Sequence, residues 1–294
     1  MSEAKYTPEE IISRLELKPV TQYQSEIISS PLEPSVVIAG AGSGKTETMS
    51  NRVLYLVANG FVTPDQILGL TFTRKAAGEL SVRIRKRLRQ LAAHKDFKHI
   101  TSTATSVTTY HSYAGKLLSE HAIRYGIDAD AEPLGEAAIW QIASDVVRNW
   151  SDDSYRNQSA VSTVIKDLLG LSKLMLEHQV KAEDIERIGN EVLLSLQPLT
   201  GSSNAEVRDV AKAMRQRNSL LPMVEVFMQR RKAAGEFSFD DQMSLAADIA
   251  QNFEDVGVLE RGKYKVVLLD EYQDTSQSQV RMLSSLYGGG HPVM

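Results

Sequence analysis

Apolar positions along this chain follow two regimes. From residue 1 to 117, short apolar runs alternate with segments whose apolar residues recur every three or four positions. The runs "SVVIA" (35–39), "QILGLTF" (66–72) and "SVTTY" (106–110) read as strands, and 46–59, 74–91 and 111–121 as the helices that follow them. Such alternation predicts a parallel sheet with helices on its faces. From about 118 to 234 the pattern is helical throughout, in "LGEAAIWQIASDVVRNW", "AVSTVIKDLLGLSKLMLEH" and "AEVRDVAKAMRQRNSLLPMVEVFMQRRKAAGE". Pro222 is expected to kink or break the last of these, because it lacks an N–H and crowds the preceding turn. Trp140 and Trp150 lie on amphipathic stretches and read as packing anchors. Strand character returns in "KYKVVLLDE" (263–271). The predicted class is therefore α/β with an all-helical insertion: 1–117 and 235–294 form one domain, and 118–234 is inserted into it.

The first strand runs into Ala39-Gly40-Ala41-Gly42-Ser43-Gly44-Lys45-Thr46. This is the phosphate-loop pattern G-x-x-x-x-G-K-[ST] with alanine in its first place. Gly40, Gly42 and Gly44 let backbone N–H groups turn inward as an anion nest at a helix N-terminus. Lys45 would reach the β- and γ-phosphates of ATP, and the Thr46 hydroxyl would bind Mg²⁺. The plain alternative, a glycine-rich turn joining strand to helix, leaves the Lys-Thr register unexplained. Four apolar residues in "VVLLDEYQDT" (266–275) would deliver Asp270 and Glu271 to the C-terminal end of a buried strand, where ligands bind in open α/β sheets. Asp270 would hold Mg²⁺ and Glu271 would accept a proton from attacking water.

Composition narrows the class further. The net charge is −4, which argues against a protein that coats nucleic acid over its whole surface but permits a local basic groove. The absence of cysteine removes disulfides and thiolate metal sites. No signal-peptide pattern opens the chain, and no apolar run approaches the roughly 18 residues needed to span a bilayer. A soluble cytoplasmic protein without a membrane partner is expected.

Six segments in order resemble the UvrD/Rep/PcrA-type DNA helicases. "VTQYQSEII" (20–28) resembles an adenine-reading element with Gln24 as its glutamine, and "AGAGSGKT" (39–46) resembles the family's own phosphate loop, alanine included. "LGLTFTRKAAGEL" (68–80) resembles the T-F-T-N-K-A-A element with Arg74 for asparagine, and "TTYHSYA" (108–114) the T-F-H-S element with Tyr110 for phenylalanine. "FSFDD" (237–241) and "DEYQDTSQSQ" (270–279) complete the set, the latter with Tyr272 for phenylalanine. "IAGAGSGKTETM" (38–49) and "YLVANG" (55–60) are similar to the actinobacterial helicase–nuclease subunits of the AdnA/AdnB kind.

The resemblance implies a RecA-like domain with a helical insertion, the first half of a two-part motor that uses ATP for 3′-to-5′ translocation and unwinding of DNA in repair or recombination. It implies single-strand contacts at Thr71, Phe72, Thr73, Thr109 and His111. The chain alone is expected to bind nucleotide weakly and hydrolyse it slowly. Arg83, Arg85, Lys86, Arg87 and Arg89 spread over several faces of one predicted helix, and read either as a phosphate track or as a solvated surface. Two other functions stay open on sequence: a P-loop ATPase that does not act on DNA, and a silent subunit of a helicase–nuclease pair.

Overall fold

The computed structural model describes residues 4–40, 42–98, 100–128, 130–151, 160–197 and 205–294. Its helices are α1 (Pro8–Arg14), α2 (Gln22–Ser29), α3 (Lys45–Ala58), α4 (Arg74–Ala93), α5 (Tyr110–His121), α6 (Glu136–Arg148), α7 (Val161–His178), α8 (Ala182–Leu196), α9 (Ala205–Ala233), α10 (Asp241–Asn252), α11 (Glu254–Lys263) and α12 (Gln277–Tyr287). Its strands are β1 (Ile67–Thr71), β2 (Ser106–Thr109) and β3 (Val266–Leu269). Two compact units emerge: Met1–Lys116 with Ala247–Met294, and Leu117–Ala246. Among the described residues no helix is long and apolar enough to cross a membrane.

The first unit is the α/β layer. Its sheet has the order β2-β1-β3 and both pairings are parallel. All five residues of central β1 are buried, as expected of a parallel strand covered on both faces. Gly69 sits opposite Val107, whose side chain comes within 3.3 Å of where a Cβ would stand. Helix α3 carries Val53, Leu54, Leu56 and Val57 into a core shared with Leu80, Ile84 and Leu88 of α4, Ile67 of β1 and Leu268 of β3. Capping boxes at Thr7–Glu10, Thr21–Gln24 and Ser276–Gln279 start α1, α2 and α12, each satisfying two otherwise unpaired backbone N–H groups.

Residues 35–39 depart from the strand expectation. They carry no strand assignment, and Val36 and Ile38 are 79% and 95% exposed. Their start is fastened by Ser35 N–H to Val293 O at 2.9 Å. Beyond β3, the sheet is continued by residues 292–294, which bond Val267 and Leu269. An apolar run becomes a strand when a partner supplies a ladder of backbone groups, and one bond at its first residue is no ladder.

The second unit is helical. Ala143, Val147, Val164, Leu168, Leu220, Val224 and Phe227 form its core, with Trp150 packed against it. Trp140 is 36% exposed, so of the two expected anchors Trp150 alone meets this core. Helix α9 runs through Pro222 without a break. Leu220, Leu221, Met223 and Val224 flank that proline and are all buried, and their packing outweighs a proline penalty of about 3 kcal/mol. Arg231 and Asp241 pair in the interior, and the Asp241 carboxylate also accepts from the backbone N–H and hydroxyl of Ser238.

Candidate functional site

Four segments of the first unit carry the residues singled out in the sequence, beginning with the glycine loop ahead of α3. Gly42 (φ 77°) and Gly44 (φ 89°) are left-handed, a conformation that L side chains rarely adopt, and Gly44 is the N-cap of α3. The Gly40 carbonyl accepts from the Ser43 hydroxyl at 2.8 Å, and the Ala39 carbonyl accepts from Lys45 Nζ at 3.3 Å. Thr46 lies half-buried in the first turn of α3. Ala41 falls outside the described residues. Gln24, at the start of α2, donates from Nε2 to the Ser43 carbonyl at 3.1 Å.

β3 delivers the acid pair. The Asp270 backbone N–H donates to Leu70 O at 2.9 Å, continuing the β1–β3 ladder past its assigned end. Glu271 follows with φ 52° and ψ 41°, a left-handed conformation strained for a residue with a side chain. Its carboxylate accepts from Gln273 Nε2 and is exposed. Half-burial raises the Asp270 pKa above the ordinary carboxylate value. The charge of Glu271 adds to this, while the Glu271 backbone N–H and the Lys45 ammonium oppose it. The Lys45 charge is thus one of those acting on Asp270, although 225 residues separate them in sequence (270 − 45).

This shift has a testable sign. The folded chain holds the Asp270 proton to higher pH than the unfolded chain does, so stability falls as pH rises through that window. Asp270→Asn is expected to raise the unfolding temperature near neutral pH. The gain should shrink as acid protonates Asp270 in the parent protein too. Thermal melts of both proteins over a pH series check this, and an Asn variant that melts lower at neutral pH would contradict it.

The segments expected at nucleic acid split by exposure. Phe72 is half-buried, with its ring centroid 4.9 Å from that of Tyr110, while Thr73 and His111 are exposed. Thr71 and Thr109 are buried. The Thr71 hydroxyl donates to Thr73 O at 3.2 Å, and the Thr109 oxygen accepts from Ser112 N–H at 3.1 Å. Thr73 also caps α4, its oxygen accepting from Ala76 N–H at 3.0 Å.

The sequence pattern gives Arg52 no role, and does not foretell what Tyr110, Arg83 and Arg87 touch. Tyr110 lies under Phe72 and donates from its hydroxyl to the Asp270 carbonyl at 3.3 Å, so it touches both the aromatic and the acidic segments. Its phenol pKa is raised by burial, then by neighbouring Asp270 and Tyr272. Arg52 is 2% exposed and bonds the carbonyls of Ile27, Ile28, Ser30 and Pro31 around the end of α2. Arg83 and Arg87 of α4 both reach Glu47 in the first turn of α3, and Arg87 also donates to Asn51 at 2.7 Å. Two of the five charges on the predicted basic helix are thus internal ties, while Arg85, Lys86 and Arg89 face solvent. Spacing on one helix does not reveal a partner on another.

Comparison with known proteins gives this arrangement a setting. The family model described as "UvrD/REP helicase N-terminal domain" matches residues 20–294. The chain is 26% identical over 283 residues to the ATP-dependent DNA helicase UvrD1 of Mycobacterium leprae, covering 96% of this chain and 32% of that protein. It is 30% identical over 255 residues to UvrD1 of Mycobacterium tuberculosis, covering 87% of this chain and 28% of that protein. To the ATP-dependent DNA helicase PcrA of Staphylococcus aureus it is 26% identical over 269 residues, 90% of this chain and 31% of that protein. The chain thus spans about a third of the length of these relatives.

Proposed function

We propose, from the premise that this chain belongs to the UvrD/REP helicase N-terminal domain family, that it is the first motor half of an ATP-dependent DNA helicase. The observation that carries the reading is the loop with two left-handed glycines at the N-terminus of α3, in the same α/β unit as the acid pair that follows the parallel strand β3. The amides of residues 42–46 and the Lys45 ammonium take the triphosphate of ATP. Thr46 and Asp270 are hard oxygen donors, half-buried, and fit Mg²⁺. Among the described residues no cluster of three or more His, Asp or Glu side chains could hold a metal by protein groups alone. That suits an ion arriving with the phosphates, and when bound Mg²⁺ neutralises phosphate charge. Glu271, exposed and set apart by its strained backbone, takes the proton of the attacking water.

DNA is the track in this reading. Phe72 offers a ring for a base to stack on, while Thr73 and His111 offer polar groups to the backbone beside it. Thr71 and Thr109 act from beneath, holding that surface in shape. Hydrolysis drives 3′-to-5′ translocation and unwinding in repair or recombination, in the cytoplasm, together with the rest of the motor. A helicase–nuclease partner subunit is the finer form of the proposal.

Titration of a fluorescent single-stranded oligonucleotide across a salt series tests it. Affinity should fall linearly on a log–log plot as salt rises. Phe72→Ala should weaken binding by about 5- to 100-fold, the value of one stacked base. An ATPase that does not act on DNA would show no binding at low salt, or binding indifferent to Phe72.

A further inference from the structure

The resemblance makes Gln24 a reader of the adenine base, yet its side chain is joined to the phosphate loop. Its Oε1 accepts from the Thr21 backbone N–H at 3.0 Å, and its Nε2 donates to the Ser43 carbonyl at 3.1 Å. The chemistry of the two partners dictates which end of the amide is which. A backbone N–H can only donate and a carbonyl can only accept, so the reversed amide would face like against like at both ends. The same Nε2 stands 3.0 Å from where a Cβ on Gly44 would be, so the glutamine fits against the loop at its last residue before α3.

The contact lies where the loop is least held by its own conformational preferences. Gly42 and Gly44 are both left-handed, and glycine has more backbone freedom to lose on ordering than any other residue. An anion that binds a slack loop must order it at its own expense, whereas a loop already fixed binds more tightly for the same contacts. The brace itself is anchored. The Thr21 backbone N–H holds the far end of the Gln24 amide, and Arg52 of α3 binds the carbonyls around the end of α2. A second N–H on Nε2 and a second lone pair on Oε1 remain, so bracing the loop does not prevent contact with a base.

The geometry points to Gln24 as a positioning residue for the phosphate loop: it preorganises the anion nest whichever base, or none, the ligand carries. This rests on the nucleotide reading of the loop given above. Guanine, adenine and bare tripolyphosphate should all depend on it.

The test is titration of the 294-residue chain with the Mg²⁺ complexes of ATP, GTP and inorganic tripolyphosphate. Gln24→Ala should weaken all three by about 3- to 10-fold, the range of one net hydrogen bond. Thr21→Val controls for helix α2. It removes the oxygen that accepts from Gln24 N–H at 3.3 Å but leaves the Gln24–Ser43 bond, and should keep tripolyphosphate affinity within about twofold of the parent. If Gln24→Ala loses ATP but binds tripolyphosphate as the parent does, Gln24 reads the base alone and the inference is wrong. Equal losses in both variants would assign the effect to helix capping and overturn it as well. A parent chain that binds none of the three ligands would instead defeat the nucleotide reading itself.

Discussion

On the proposed helicase reading, replacing Glu271 by Gln is expected to cut DNA-stimulated ATP hydrolysis by about 10²- to 10⁴-fold, the span of a lost general base. ATP and single-stranded DNA should still bind. The substitution keeps the size and the hydrogen-bonding reach of the side chain, and removes only the ability to take a proton. Glu271 is singled out over Asp270 by its surroundings. Asp270 is half-buried and feels the Lys45 charge, as suits a group facing metal and phosphates, whereas Glu271 is exposed and projected by a left-handed backbone. Lys45→Ala is the complementary change: it should weaken ATP binding as well as turnover, because the ammonium meets charge already present in the ground state. Phosphate release and nucleotide titration separate the two. A Glu271→Gln variant that turns over at the parental rate would remove Glu271 from the chemistry.

The second large effect concerns stability. Arg52→Met is expected to destabilise the first unit by on the order of 3 kcal/mol, seen as a lower urea midpoint. Methionine keeps much of the apolar stem but abandons four carbonyls and the Ser30 hydroxyl around the end of α2. Those carbonyls carry the negative pole of the helix, which the guanidinium offsets. Burial opposes the charge and lowers the Arg52 pKa, so the residue is kept by its partners and not by solvation. Arg52→Lys should recover part of the loss, since an ammonium reaches fewer of these acceptors than a planar fork does. A Met variant unfolding within about 0.5 kcal/mol of the parent would show that the carbonyls find water instead.

Both predictions begin from side chains, but their visibility in the sequence differs. Glu271 stands in a local pattern, an apolar run ending in two acids, and pattern is what a chain displays without folding. Arg52 sits in a helical segment where its spacing suggests nothing, because its acceptors come from residues 27–31, at the end of another helix. Glu47, Arg83 and Arg87 behave alike: a sequence shows charges, while a packed pair of helices decides which are neutralised and which meet solvent.

The sequence by itself determined what depends on near neighbours. Strands β1, β2 and β3, the helices after the first two, the helical middle and the Gly-Lys-Thr loop all follow from residues within a few positions of one another. Period and glycine content are local properties that set backbone conformation before any tertiary contact exists. Tertiary structure alone decided the rest. Residues 35–39 have strand composition but no ladder, α9 crosses Pro222 because its neighbours are buried, and Thr71 and Thr109 turn inward while Phe72 remains partly open. The reason is common to all three. A backbone ladder, and the packing that buries the residues around Pro222 and the two threonines, are supplied by segments distant along the chain, and their free energy appears only when folding brings them together.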